Sequence, residues 1–181
     1  MKELSLHILD IVQNAISAEA GEVVIRMEED TAANTYMISI SDNGRGMSPE
    51  VLERVTDPYY TSRRTRKVGM GIPLLMHSAE QAGGRVTIRS APGEGTTVEA
   101  MFVHDHIDRP EMGDIGGVLV LLIGGNPGIR FRYEHRKDGR TYMLDTVEVQ
   151  EVLEDMPISD PGVLKYIREM IRENLAENDI I

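Results

Sequence analysis

The chain has 181 residues, a length that suits one domain or one domain with a small appendage. Its formal net charge of -11 argues against general nucleic-acid binding, which requires a basic face. The lack of cysteine excludes disulfides, cysteine metal ligands and a cysteine nucleophile. We find neither a signal-peptide pattern nor an apolar run long enough to span a bilayer, and therefore expect a soluble cytoplasmic protein that binds no membrane.

The first predicted element is an amphipathic helix over residues 3–20, ended by Gly21. Apolar residues at positions 4, 8, 11 and 15 recur with the spacing of one helical face. Asp10 and Asn14 lie one turn apart on another face and point the same way. Their oxygens suit a hard cation such as Mg2+, and the alternative is an ordinary solvated face.

The next segments alternate in the manner of strands. Strands are predicted at residues 22–27 and 35–41, joined by a polar loop at 28–34. A second hairpin is predicted from strands at 85–91 and 96–103. Two threonines open its returning strand, so that one hydroxyl can point toward a ligand.

The loop at residues 42–47, with the sequence DNGRGM, is the most informative local feature. It follows a predicted strand and precedes a short helix predicted over residues 49–55, for which Ser48 is a good cap. Its two glycines allow a sharp turn and close approach to a flat ligand. Asp42, at the strand end, can accept a hydrogen bond from an amino group.

The stretch at residues 57–71 is rich first in hydroxyls, then in cations and finally in glycine. It leads into an apolar helix predicted over residues 72–82. Cations, small residues and a helix N-terminus together favour phosphate binding, although a surface loop with solvated charges is the alternative. The cations are Arg63, Arg64, Arg66 and Lys67, and the glycines are Gly69 and Gly71.

These stretches, in this order, resemble the motifs of the GHKL ATP-binding superfamily of gyrase, heat-shock-90-type chaperones, histidine kinases and MutL. The resemblance covers about residues 3–103. It implies the Bergerat fold, an α+β two-layer α/β sandwich with a mixed, largely antiparallel sheet and helices on one face. The matching segments are 6–20 (N box), 42–46 (G1 box), 57–60 with 69–72 (F and G2 boxes around the ATP lid) and 93–96 (last glycine box).

The resemblance also implies ATP and Mg2+ as ligands. It assigns Asn14 to Mg2+, Asp42 to the adenine amino group, and Thr96 to a contact that helps to hold adenine. The other residues expected around the nucleotide are Gly44, Gly46, Met47, Tyr60, Thr61, Arg64, Lys67, Gly69, Met70, Gly71 and Ile72.

Asp10 keeps three functions open. The lid region most resembles a histidine kinase, but the gyrase and MutL branch has a water-activating glutamate at this position, and anti-sigma-factor kinases also carry an acidic residue here. The chain is therefore expected to transfer a γ-phosphoryl group to a histidine or serine of a partner protein in signalling. The alternatives are a slow ATPase switch with Asp10 as general base, and a nucleotide-sensing module that sequesters a regulator. His7 is expected to be structural, and homodimer formation stays open.

Residues 104–181 are predicted to form a small α+β extension after an ATP-binding domain at 1–103. The predicted elements are a helix over 115–123 capped by Asp114, a hairpin of strands at 129–136 and 141–147, and an amphipathic helix over 161–177. His104 and His106 have a spacing that zinc could use, although a polar strand end is the alternative.

Overall fold

The structure, a computed structural model, describes residues 3–57 and 70–181. Six helices and six strands lie within these residues. They are α1 (Leu4–Ser17), β1 (Glu22–Asp30), β2 (Thr35–Asp42), α2 (Pro49–Thr56), α3 (Gly71–Gln81), β3 (Arg85–Ala91), β4 (Gly95–Val103), α4 (Ile115–Gly125), β5 (Arg130–Lys137), β6 (Arg140–Asp145), α5 (Thr146–Leu153) and α6 (Pro161–Glu177).

The six strands form one sheet in the order β3-β4-β2-β1-β5-β6. Every neighbouring pair is antiparallel except β1 and β5, which run parallel with Val23 opposite Phe131. The predicted α+β class and the mixed, largely antiparallel sheet are confirmed.

The core lies between this sheet and the helices that cover one of its faces. Alternate residues of β1, such as Val23, Ile25 and Met27, are buried because successive strand side chains point to opposite faces. The predicted apolar stripe of α1 is buried as well, with Leu4 and Ile8 fully inaccessible. Burial of such aliphatic side chains stabilises the fold by roughly 1.5–3 kcal/mol each.

His7 lies inside this core, where its Nε2 is 3.1 Å from Ser78 Oγ of α3. Burial lowers the pKa of His7 to about 4, because the charged imidazolium loses its hydration. The expectation that this histidine is structural agrees with its position.

The C-terminal part of the chain continues the same sheet. β5 pairs with β1, and β6 pairs with β5 through the turn at Asp138 and Gly139. Helix α4 is capped by Asp114 and α6 by Asp160, and the two helices pack against each other. The division of the chain at residue 103 remains a prediction, because one sheet contains strands from both sides of it.

The polar loop predicted at residues 28–34 is too long, because β1 continues to Asp30 and only residues 31–34 form the turn. The reason is Glu29, which is buried and accepts hydrogen bonds from two imidazoles. Its Oε1 is 2.8 Å from His135 Nε2 on β5, and its Oε2 is 2.9 Å from His104 Nε2. A polar sequence therefore forms an interior strand, since the carboxylate has both partners that it needs.

Two helix boundaries also differ from the predictions. Helix α1 ends at Ser17 rather than at residue 20, and Glu19 has a φ of 60°, which a right-handed helix cannot contain. The strand predicted to reach residue 147 ends at Asp145, whose carboxylate accepts from the Val147 amide and so caps α5. Helix α5 itself was not predicted, because its first residues are β-branched.

The two histidines with zinc-like spacing have other partners. His104 contacts Glu29, and His106 Nδ1 accepts from the Asp108 amide. Within residues 3–57 and 70–181, no group of three or more histidines and carboxylates is arranged to hold a metal ion. No helix of this described part has the length and apolar character needed to cross a membrane.

The hydrogen bonds of Glu29 predict that the free energy of unfolding decreases at acidic pH. Burial raises the pKa of Glu29, but the hydrogen bonds from His135 and His104 outweigh it and hold that pKa below its usual value of 4.5. The stabilisation is therefore complete above about pH 4.5 and is lost as the pH falls through the folded-state pKa. In urea unfolding at several pH values, Glu29→Gln should make the free energy of unfolding less dependent on pH below about 4.5. Glu28→Gln, on the exposed face of β1, should leave this dependence unchanged.

Candidate functional site

A cavity of about 330 Å³ opens between α1, the loop at 42–47, α2 and the start of α3. Its wall is mostly apolar, with a few convergent polar groups, which is the usual character of a small-molecule site. A larger cavity of about 480 Å³ lies between α4 and α6, but five charged side chains surround it, and they are Asp114, Lys165, Arg168, Glu169 and Arg172. We therefore take the first cavity as the candidate site. Its lining residues are Ile11, Asn14, Ser17, Ala18, Ile40, Asp42, Arg45, Gly46, Met47, Ser48, Val51, Val55, Ile72, Thr96 and Val98.

Strand register brings the polar groups of the cavity floor together. Asp42 at the end of β2 lies directly opposite Thr96 at the start of β4. Ile40 and Val98 form the next inward-facing pair and supply an apolar surface beside them. Because the side-chain period of a strand is two, these four residues share one face of the sheet.

The Asp42 carboxylate is held in place by its own loop. Its Oδ1 accepts a hydrogen bond of 2.8 Å from the Gly44 amide. Burial raises the pKa of Asp42, and the backbone amides of Gly44 and Thr96 oppose that rise by stabilising the ionised form. A half-buried carboxylate held in this way can accept a hydrogen bond from a ligand in the cavity.

Glycines allow the backbone segments around the cavity to approach each other closely. Gly46 has a φ of 69°, and a Cβ on it would lie 1.9 Å from the Ala91 carbonyl oxygen. Gly95 has a φ of 82°, and a Cβ there would lie 2.0 Å from the Asp42 carbonyl oxygen. No side chain fits at either position, so both glycines are required by this geometry.

Neighbouring turns anchor the loop from two sides. The Arg45 amide donates to the Ala18 carbonyl at 2.9 Å, and the Arg45 carbonyl accepts from the Gly93 amide at 2.8 Å. Asn43 Oδ1 accepts from the two backbone amides that open β1, each at 2.8 Å. These contacts fix the loop against both the α1–β1 turn and the β3–β4 turn.

Helix α1 supplies the polar group at another part of the wall. Asn14 lines the cavity, and its side-chain amide makes no hydrogen bond within the described residues. Asp10 lies one turn earlier and packs against the start of α3, where a Cβ on Gly71 would be 2.8 Å from the Asp10 Cβ. The amide of Asn14 is thus free to bind a ligand, while Asp10 lies next to the α3 N-terminus.

The structure brings part of the predicted site together. Six of the predicted residues line the cavity, and they are Asn14, Asp42, Gly46, Met47, Ile72 and Thr96. Four others lie outside its wall, and they are Asp10, Gly44, Met70 and Gly71. Five lie outside the described residues, and they are Tyr60, Thr61, Arg64, Lys67 and Gly69.

Sequence reasoning missed the apolar part of the wall. Ile40 lies two residues before Asp42, and Val98 lies two residues after Thr96, so strand periodicity alone could have indicated both. Ile11 was assigned only to the core stripe, although it also reaches the cavity.

The cavity and sheet define an α+β domain with a small-molecule site, and comparison with known families identifies its class. Residues 2–106 match the family described as histidine kinase-, DNA gyrase B-, and HSP90-like ATPase. This match covers more than half of the chain, so the chain belongs to this ATP-binding family.

Curated proteins that are similar to the chain include sensor kinases. The chain is 32% identical over 111 residues to the sensor histidine kinase YxdK of Bacillus subtilis, with 56% of this chain and 33% of that protein covered. It is 35% identical over 89 residues to the sensor protein kinase FleS of Pseudomonas aeruginosa, with 49% and 22% covered. The chain thus spans no more than a third of either kinase.

Two solved structures share the fold. The ATPase domain of MutL from Aquifex aeolicus, complexed with ADP, has a TM-score of 0.52 and 18% identity, with 85% of this chain and 70% of that chain covered. The N-terminal domain of a DNA repair protein has a TM-score of 0.54 and 17% identity, with 80% and 53% covered. Both likenesses cover more of the chain than residues 2–106 alone.

The glycine geometry predicts a large difference between two substitutions. Gly46→Ala should destabilise the fold and weaken nucleotide binding, because the new methyl group meets the Ala91 carbonyl. Gly93→Ala is the matched control, since Gly93 also has a positive φ of 78° but no atom within 4 Å of an added Cβ. Gly93→Ala should lower the free energy of unfolding by only about 1–2 kcal/mol, because alanine is disfavoured in the left-handed backbone region. Equal losses in urea unfolding would contradict the close approach at Gly46.

Proposed function

We propose that this chain binds Mg-ATP and donates the γ-phosphoryl group to a partner protein in signalling. The observation that carries the proposal is the convergence of Asn14, Asp42 and Thr96 on one largely apolar cavity. Similarity to sensor histidine kinases supports phosphoryl transfer as the reaction class.

The adenine ring would lie at the sheet end of the cavity. Asp42 would accept from its exocyclic amino group, and Ile40 and Val98 would contact the ring plane. The fixed positions of the loop would limit the entropy lost on binding, because the carboxylate is already oriented by Gly44.

The phosphates would lie toward α1 and α3. Asn14 offers a carboxamide oxygen, which is the hard ligand type that Mg2+ accepts together with phosphate oxygens and water, so the residue fits the ion. Magnesium bound there would neutralise phosphate charge. The first turn of α3 is not capped by the Met70 side chain, so its backbone amides can donate to phosphate oxygens. From the sequence we also propose Arg64 and Lys67 as phosphate-binding cations.

A slow ATPase is the second candidate, and the position of Asp10 favours it. Its carboxylate lies one helical turn from Asn14 and directly beside Gly71 at the start of α3. A base at that position could activate water near the terminal phosphate. The same carboxylate could instead accept a proton from a hydroxyl of a partner protein.

The test incubates γ-labelled ATP with the chain alone, and in a second reaction with the chain and the proteins that co-purify with it. Label transferred to a partner protein supports the kinase. The ATPase is supported if the wild-type chain releases free phosphate and the Asp10→Asn variant does not. ATP binding without either product would contradict both and leave a nucleotide sensor.

Asn14→Ala should reduce ATP affinity in the presence of Mg2+ far more than in its absence. The reason is that the variant removes a cation ligand and leaves the adenine end of the cavity unchanged. Calorimetric titration with and without Mg2+ measures this difference, and circular dichroism checks the fold. Gln13→Ala is the matched control, because it removes an exposed amide from the same helix. Equal losses with and without Mg2+ would contradict the metal role of Asn14.

A further inference from the structure

Ser90, at the end of β3, joins three parts of the nucleotide site without lining the cavity itself. Its Oγ is 2.8 Å from the Met47 amide nitrogen, 3.0 Å from the Gly95 carbonyl oxygen and 2.9 Å from Thr96 Oγ1. A serine hydroxyl has one hydrogen and two acceptor positions, so three partners use its full capacity.

The chemistry of these partners fixes the direction of each hydrogen bond. The Met47 amide can only donate, so Ser90 accepts from it. The Gly95 carbonyl can only accept, so the Ser90 hydrogen must lie between these two oxygens. The remaining contact, with Thr96 Oγ1, therefore needs the hydrogen of the threonine hydroxyl.

The Thr96 hydroxyl is consequently committed as a donor to Ser90. Only its lone pairs remain for a ligand in the cavity that Thr96 lines. The Asp42 carboxylate lies on the opposite strand position and also only accepts while ionised. This end of the cavity thus presents two hydrogen-bond acceptors side by side. They can bind an amino group of a ligand, whereas a carbonyl oxygen of a ligand finds no donor there.

We propose that Ser90 is a positioning residue that holds the Thr96 hydroxyl as an acceptor and so sets the preference for a 6-amino purine over a 6-oxo purine. The inference rests on the proposed nucleotide binding at this cavity. It adds a residue that acts through Thr96 and contacts no ligand.

A neighbouring hydroxyl pair offers a matched control. Ser41 Oγ and Thr97 Oγ1 lie 3.0 Å apart on β2 and β4, one residue along from Asp42 and Thr96. Strand alternation places this pair on the other face of the sheet, away from the cavity. Ser41→Ala removes a similar hydroxyl contact without touching the site.

The test compares ADP and IDP, which carry an amino and an oxo group at the same ring position. Calorimetric titration in Mg2+ gives the affinity ratio of the two nucleotides for the wild-type chain, Ser90→Ala, Thr96→Val, the double variant and Ser41→Ala. We expect Ser90→Ala to reduce the preference for ADP by about three- to tenfold, because the freed Thr96 hydroxyl can then donate to the oxo group. In the Thr96→Val background the same change should have no further effect on the ratio, and Ser41→Ala should not alter it.

Equal losses of ADP and IDP affinity in Ser90→Ala would overturn the proposal, because a purely structural role weakens both alike. A shift of the ratio that persists in the Thr96→Val background would also overturn it. A wild-type chain that binds neither nucleotide contradicts the proposed function itself, so the two failures are distinguishable. Should Ser90→Ala not fold, Ser90→Cys keeps the same side-chain connectivity, replaces the hydroxyl with a weakly bonding thiol, and is judged by the same ratio.

Discussion

The close approach of backbone to backbone around loop 42–47 is the constraint on which the cavity depends. Gly46 lies against the Ala91 carbonyl, and Gly95 lies against the Asp42 carbonyl, at distances that no side chain permits. The first contact joins loop 42–47 to the end of β3, and the second joins the start of β4 to the end of β2. A side chain at either glycine would separate these segments and move the acceptors of the cavity floor relative to each other.

Strand pairing in the sheet determines where the polar side chains of the site lie. Antiparallel pairing places Asp42 opposite Thr96, and the alternation of side chains turns both toward the helices. A register shift of one residue would turn the acceptors to the other face, so the buried side chains of β2 and β4 fix the site as well as the core. Helix α1 then contributes Asn14 from the layer above, because its apolar stripe determines which face remains for the cavity.

Sequence patterns predicted the features that are local along the chain. The caps at Ser48 and Asp114 are local, since each side-chain oxygen accepts from an amide three residues away. The length of β1 was not predictable in this way, because Glu29 is stabilised by His135, 106 residues further along the chain. Ser90 carries no motif either, as its partners meet only when the turn and the loop come together.

The C-terminal part of the chain supports the site through β1. Strand β5 covers one side of β1, and the Glu29 contacts with His104 and His135 join three segments at the far end of that strand. At the near end, the amides that open β1 donate to Asn43 of the loop. β1 thus has hydrogen-bonded partners along its length and at both ends. The loop is thus hydrogen-bonded to a strand that is itself paired on both sides, and this support holds Asp42 beside the cavity.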